Sequence, residues 1–254
     1  MNAKEAAGEA AAALVEDGML VGLGSGSTAA CFIDALGRRV AGGLRITAVS
    51  SSIASADQGR ALGIDVVERV DRVIDLTVDG ADEIDPQLDL VKGLGGALLR
   101  EKVVAAASAR MVVVATEDKL VDRLGRGPLP VEVLPFLWET TAWRLDALKL
   151  RPVRRGGDAS PFVSDNGNFI LDCTVPRRRS AARLAPVLEA IPGVVGHGLF
   201  LNMASLALIA SMAWSHHSWE KNFTLSDTDS RLSRSCASRP PGPPCSTPRA
   251  PPAP

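Results

Sequence analysis

Asp79, Asp82 and Glu101 stand with Lys92 around two glycine-rich turns, Asp79-Gly80-Ala81-Asp82-Glu83 and Lys92-Gly93-Leu94-Gly95-Gly96, the second running into Arg100-Glu101-Lys102. Carboxylates and a lysine can move protons and steady developing negative charge. Turns rich in glycine leave backbone N–H groups free to point at an anion. The first turn follows Val73-Ile74-Asp75-Leu76-Thr77-Val78, a β-branched apolar run that reads as a buried strand. Ligands of open α/β sheets bind beyond the carboxyl ends of strands, which is where Asp79 and Asp82 fall. The competing reading is a solvated acidic turn, since Asp and Gly are ordinary turn residues. The lysine turn that follows so soon weighs against it.

Cysteine and histidine narrow the chemistry. Cys31, Cys173, Cys236 and Cys245 form no CxxC pair and no disulfide framework. The histidines are His197, His216 and His217. His216 and His217 fall at the edge of the Ser/Arg/Pro-rich stretch, and a zinc site or a Ser-His-Asp triad would need imidazoles the globular part does not have, so no metal and no cofactor is expected. Proton transfer then falls to carboxylates and lysines. Composition excludes other classes: 46% hydrophobic and 22% charged residues suit a soluble globular chain, and a net charge of -1 gives no electrostatic reason to bind nucleic acid or an anionic membrane. No apolar run reaches the roughly 18 residues that span a bilayer. The Ala-rich N-terminus lacks the apolar core of a signal peptide, so a cytoplasmic protein is expected.

The elements that must position these residues alternate in the first half, as in a parallel sheet covered by helices. Helices are expected over Glu5–Glu16, Ala29–Leu36, from Ser52 to Leu62, and over Ala97–Ala107. Strands are expected over Met19–Leu23, Arg45–Val49, Ile64–Val67, Val73–Val78 and Met111–Ala115. Gly24-Ser25-Gly26-Ser27-Thr28 links the first strand to a helix, and its hydroxyls and N–H groups could hold an anion. It has no Gly-Lys-Ser/Thr ending and no full dinucleotide fingerprint, so neither a nucleoside triphosphate nor a dinucleotide fits it. Ser50-Ser51-Ser52 repeats the arrangement, either as a donor to a ligand or as a simple N-cap.

The pattern changes at Gly125-Arg126-Gly127-Pro128-Leu129-Pro130, a candidate hinge. Beyond it come helices over Leu137–Leu148 and Ala181–Ile191. Phe162-Val163-Ser164 and Phe169–Cys173 flank Asp165-Asn166-Gly167-Asn168, a hairpin with the primed turn that Asn-Gly favours. The expected division is a large domain over residues 1–124 plus about 200–214 and a small α+β domain over 125–199. In the stretch 215–254 Ser, Arg and Pro dominate, and 8 of the 17 prolines fall between Pro240 and Pro254. Such a composition buries too little apolar surface to fold, so a disordered tail is expected.

Taken in order, Gly24–Thr28, Asp79–Glu83, Lys92–Ala97, Arg100–Lys102, Asp118-Lys119, Pro128–Val133, Asp165–Asn168, Ile191–Val195 and Gly198–Phe200 closely resemble ribose-5-phosphate isomerase of the A type, over about residues 1–210. The resemblance implies an enzyme of the non-oxidative pentose phosphate pathway, interconverting ribose 5-phosphate and ribulose 5-phosphate without metal or organic cofactor. It implies an open, mostly parallel α/β sheet flanked by helices, with a smaller ferredoxin-like α+β domain inserted before the chain returns. It also implies a homodimer or tetramer. By position, Glu101 matches the family's base. Ser25, Gly26, Ser27 and Thr28 match a substrate-binding segment, as do Asp79, Gly80, Ala81 and Asp82. Lys92, Gly93, Leu94 and Gly95 match another, and Lys119 a further contact. The ending departs from the family: Ala204-Ser205 stands where an Ala-Asp pair is usual, so the last strand depends on Leu206–Met212.

Aldose–ketose isomerisation needs a base near two adjacent carbons and cationic or N–H donors near their oxygens. Glu101 suits the base, Lys92 the oxyanion, Asp79 and Asp82 the sugar hydroxyls and ring opening, and Lys119 the phosphate. Each of these has a plainer reading as surface charge. Alternatives of the same architecture are a non-catalytic phosphosugar sensor, a sugar-phosphate deaminase or a CoA-transferase-like enzyme.

Overall fold

The computed structural model describes residues 2–210. The expected tail over 215–254, the end of the return over 211–214, His216, His217, Cys236 and Cys245 lie outside the described residues.

Chain order begins α1 (Ala3–Ala12), β1 (Leu20–Leu23), α2 (Ser27–Ala41), β2 (Thr47–Ser50), α3 (Ile53–Ala61), β3 (Asp65–Val66) and β4 (Leu76–Asp79). It continues through β5 (Glu83–Ile84), β6 (Leu90–Val91), α4 (Leu98–Ala106) and β7 (Met111–Thr116). Then follow β8 (Leu129–Val133), α5 (Trp138–Ala147), β9 (Val153–Arg154), β10 (Phe169–Cys173), α6 (Ala181–Glu189), β11 (Val194–His197), β12 (Leu199–Phe200) and β13 (Leu206–Ala210).

Six strands form one sheet in the order β13-β7-β4-β1-β2-β3, and every neighbouring pair is parallel. Strand order reverses between β1 and β4, the switch point at whose carboxyl ends open sheets place their ligands. The loops that leave those two strands are Gly24–Thr28 and the Asp79 turn. Continuous apolar stretches such as Met111–Ala115 in β7 are covered on both faces. Val112 and Val114 pack with Phe32, Leu36 and Leu208 under α1 and α2. Met111, Val113 and Ala115 face the other way, against Leu90, Phe200 and Ile209. The alternation is that of any strand between two layers.

The second sheet is antiparallel, in the order β11-β8-β10-β9, with α5 and α6 packed on it around Leu145, Leu171, Leu184 and Leu188. With its helices this is the βαββαβ arrangement of ferredoxin-like folds. A third, three-stranded sheet of β12, β6 and β5 joins the two.

Several expectations are corrected in detail. The first helix ends at Ala12 rather than Glu16, and α2 runs on to Ala41. No strand was expected over Leu129–Val133, because prolines at 128 and 130 obscure it. Yet β8 pairs on both sides, and the Pro130 carbonyl accepts from Gly198 N at 2.8 Å. The turn after Val163 is not a primed one. Ser164 O accepts from Gly167 N at 2.9 Å, and within the turn a positive φ belongs to Gly167 (77°), not Asn166. Three loop residues give an ordinary turn closed by one left-handed glycine. Its first arm is a single bridge, Val163 to Phe169. The return strand does form: β13 pairs with β7 from Leu206–Val112 to Ala210–Thr116. Ser205, at the position of the family's acid, starts it by donating both its N–H and its Oγ–H to Met111 O at 2.9 Å.

Candidate active site

Beyond the carboxyl ends of β1, β2 and β4 lies a cleft of about 560 Å³. Its floor is built on a buried ion cluster. Lys92, which follows β6, is 2% exposed and lies 3.0 Å from Asp79 Oδ2 and 3.3 Å from Glu101 Oε1. It also donates to Gly80 O at 2.6 Å. Asp79, the last residue of β4, is 1% exposed, and its Oδ1 accepts from the N–H groups of Ser25 (2.9 Å) and Gly80 (2.7 Å). Thus one carboxylate ties the loop after β1 to the turn after β4. A Cβ at Gly24 would collide with the Asp79 carboxyl, so the close approach demands glycine there.

Glu101 is carried by α4, whose buried stripe is Leu98, Glu101, Val104 and Ala105. That spacing turns the carboxyl inward with the apolar side chains. Burial pushes its pKa up to about 8; the charges of Asp79 and Asp82 add to this, and Lys92 opposes it. Burial would lower the Lys92 pKa, but Asp79 and Glu101 together hold it above its usual value. A single cation therefore serves two carboxylates. Glu101, desolvated and sharing that cation with Asp79, holds its proton near neutrality. Glu101 Oε2 is buried without a hydrogen-bond partner.

Asp82 lines the cleft and accepts from Leu94 N at 2.9 Å. Burial raises its pKa, countered by that N–H and by Lys92, Lys119 and Arg155. Lys102, beside Glu101, turns away from the cleft. Its Nζ meets His197 O (2.7 Å), Leu199 O (2.8 Å) and His197 Nδ1 (3.2 Å), and burial pushes its pKa down to about 8. His197 Nδ1 also accepts from Leu199 N at 3.2 Å, which leaves the ring proton on Nε2, facing Glu189. Burial and Lys102 push the His197 pKa down to about 4.

The far end of the cleft is the start of α2. Gly26 caps it without a side-chain acceptor, so its first N–H groups are not covered by a capping side chain. Ser25, Gly26, Ser27 and Thr28 line this end, and Lys4 reaches in from α1 to donate to Ser27 Oγ at 2.8 Å. Lys119 lines the cleft as well, 3.1 Å from Asp118.

The structure brings most of the expected site residues to one cavity. Gly80, Ala81, Asp82, Lys92, Gly93, Gly95 and Glu101 all border it. Asp79 and Leu94 do not. Asp79 lies beneath the floor with both oxygens engaged, by Ser25 N, Gly80 N and Lys92 Nζ. Leu94 contributes its N–H to Asp82, and its side chain borders a smaller neighbouring hollow of about 280 Å³. Ser52 serves as the N-cap of α3, accepting from Ser55 N, and borders the cleft too. Sequence reasoning missed Lys4, Phe162, Val163 and Asp165, which also line it. Lys4 sits in the first turn of a helix opened by a capping box of Asn2 and Glu5, a visible signal. Phe162, Val163 and Asp165 were read only as parts of a hairpin, a pattern that does not point to the cleft.

A family model for ribose 5-phosphate isomerase A (phosphoriboisomerase A) matches residues 47–213. The chain belongs to the ribose 5-phosphate isomerase A family. Among its relatives, ribose-5-phosphate isomerase A of Rhodopseudomonas palustris (strain TIE-1) is 49% identical over 225 residues, covering 83% of this chain and 95% of the relative. That of Roseiflexus sp. (strain RS-1) is 52% identical over 213 residues, covering 82% and 91%. The solved ribose 5-phosphate isomerase A of Methanocaldococcus jannaschii superposes with a TM-score of 0.80 at 33% identity, covering 88% of this chain and 97% of that one. A D-ribose-5-phosphate isomerase solved in complex with phospho-erythronic acid gives 0.79 at 36% identity, covering 83% and 96%. Members of the ribose 5-phosphate isomerase A family thus share the whole described fold, and the β1/β4 cleft is the site such a fold offers.

Proposed function

We propose that this chain interconverts D-ribose 5-phosphate and D-ribulose 5-phosphate through an enediolate, with Glu101 as the base. The observation that carries the assignment is a buried carboxyl, held up to about 8, beside a buried ammonium at 3.3 Å on a cleft floor. Ionised Glu101 takes the proton from C2 of the open aldose; the C2–H electron pair forms the C1–C2 double bond, and the carbonyl π electrons move onto O1. Lys92 supports the resulting oxyanion with a full charge in a desolvated place. A proton passes between O2 and O1, and Glu101 returns its own to C1, leaving the ketose. The base ends as it began, and nothing is oxidised or reduced overall.

Asp82, raised by burial and open to the cleft, assists opening of the furanose ring. Asp79 keeps Lys92 and the Ser25 loop in place. The phosphate goes to the uncovered start of α2, where Ser27 and Thr28, Lys4 and Lys119 supply donors and charge. The remaining substrate-binding backbone is Gly26, Gly80, Ala81, Gly93 and Gly95, with Leu94 contributing through its N–H to Asp82.

The reaction belongs to the non-oxidative pentose phosphate pathway. Among the described residues no helix is long and apolar enough to cross a membrane; we place the enzyme in the cytoplasm, without nucleic-acid or membrane partners. A homodimer or tetramer is proposed, supported by the exposed Phe136 and Trp143 of the small sheet's flank. So is the division into a large domain (1–124 plus about 200–214) and a small one (125–199). The sensor, deaminase and CoA-transferase-like readings are not favoured. An isomerase assay with ribose 5-phosphate on the purified chain tests the proposal: turnover is expected, and its loss in Glu101→Gln with substrate still bound. No turnover in the unaltered chain would overturn it.

A further inference from the structure

Phe162, Val163 and Asp165 form the cleft wall that comes from the antiparallel sheet. Phe162 stacks over Gly96, where no side chain would fit. The turn behind this wall is fixed from inside. Glu132 of β8 is fully buried, and its Oε1 accepts from Ser164 Oγ (2.8 Å), Asn168 Nδ2 (2.9 Å) and Asn166 Nδ2 (3.0 Å). The same turn is held from outside. Asp165 Oδ2 accepts from Ile53 N, at the start of α3, at 2.9 Å. Arg100 of α4 donates to Asp165 O (2.9 Å) and to Asn166 Oδ1 (2.8 Å).

Asn166 is the one side chain in both sets. Its amide N–H points inward to Glu132 and its amide oxygen outward to Arg100, the residue next to Glu101 in α4. The amide orientation is settled by its neighbours, since the carboxylate can only accept and the guanidinium can only donate. A chain of hydrogen bonds thus runs from a buried carboxylate of the antiparallel sheet to the helix that carries Glu101.

We propose that Asn166 and Arg100 are positioning residues for the isomerase reaction, bridging Glu132 to α4 so that the 162–165 wall stays closed over the bound sugar. Neither needs to touch the substrate. Loss of the bridge lets the wall lift, so the sugar is held less tightly while the Glu101–Lys92 pair is left intact. The cost therefore falls on KM, with kcat largely kept. The proposal rests on the isomerase reading of the cleft.

Steady-state kinetics of the full chain test it, with Glu101→Gln run beside the new variants. Asn166→Ala and Arg100→Ala are each expected to raise KM about 5- to 10-fold with kcat within about 2-fold, and Arg100→Lys to recover part of the loss. The double variant should be no worse than the worse single one, because both cut the same chain. Amide exchange over 162–168 should quicken in Arg100→Ala. Should Asn166→Ala fail to fold, the half-exposed Arg100 carries the test. An unchanged KM in Arg100→Ala, or KM increases that multiply in the double variant, would overturn the bridge even with Glu101→Gln inactive. An active Glu101→Gln would instead sink the isomerase assignment of the base.

Discussion

Glu101 and Glu132 are the same residue type, both buried, one on a helix under the cleft and the other on a strand in the antiparallel sheet. Each leaves its Oε2 without a partner. What separates them is the other oxygen. Glu132 Oε1 accepts from three fixed donors that all belong to one turn, and among the described residues no cation pairs with it. Glu101 Oε1 shares one lysine with Asp79, and the residue borders the cleft. A buried carboxyl whose one oxygen gathers three donors of a turn is committed to structure, since disturbing it strands three polar groups. A buried carboxyl that borders a cleft and shares its cation with a second carboxylate is poised to exchange a proton.

The identical change at both positions is the sharpest way to break this contrast. Glu101→Gln should lower kcat by at least about 100-fold, with KM within a few-fold and thermal stability kept. A kcat near normal would remove Glu101 from the role. Glu132→Gln should do the reverse: kcat within a few-fold, but a loss of about 1–3 kcal/mol in urea unfolding, because three hydrogen bonds lose a carboxylate acceptor. If Glu132→Gln silences turnover as fully as Glu101→Gln does, the two regions do not differ in kind.

A pH series sharpens the comparison further. With its pKa pushed up to about 8, Glu101 is protonated below that value, so kcat/KM should climb with pH through a limb near 8 instead of one near 4.5. Stability runs the other way. Between about 4.5 and 8 the native state holds a proton the unfolded chain has lost, so Glu101 makes the protein less stable as pH rises there. Glu101→Gln should flatten that slope. A limb at 4.5 would mean that the cleft is better solvated than its geometry implies. The smallest effect expected is none: turnover should survive exhaustive chelation, because Lys92 supplies the positive charge a metal would bring. Activity lost to EDTA and restored by magnesium or zinc would reassign that role.

The central strands of the parallel sheet were legible because they are buried on both faces and read as apolar runs, as at Met19–Leu23 and Met111–Ala115. The antiparallel sheet was harder to read. Prolines hid β8, and β9, like β5, β6 and β12 of the three-stranded sheet, is a two-residue strand with no period to detect. The cleft floor could be read from Asp82, Lys92 and Glu101, which lie close in the chain on or beside glycine turns. Asp79 shows the limit of that reading. Its residue type and place suggest a ligand contact, but depth below the surface is decided by Ser25, Gly80 and Lys92 closing over it. Phe162 and Asp165 reach the cleft only through a tertiary contact across two sheets, and no local pattern encodes that.

The pairing of β13 with β7 has a consequence for how the chain acquires its shape. β7 ends at Thr116 and its partner starts at Leu206, with the whole antiparallel sheet in between. Closing a flexible loop of roughly ninety residues costs about 4 kcal/mol of chain entropy. Such a distant contact slows folding. If the proposed small domain over 125–199 packs first, that loop shortens to a few effective links. The inserted sheet would then act as a folding aid for the strand that follows it, and β7 would keep one edge open until late in folding. During synthesis that edge waits for residue 210, leaving a window in which a second nascent chain can pair with it.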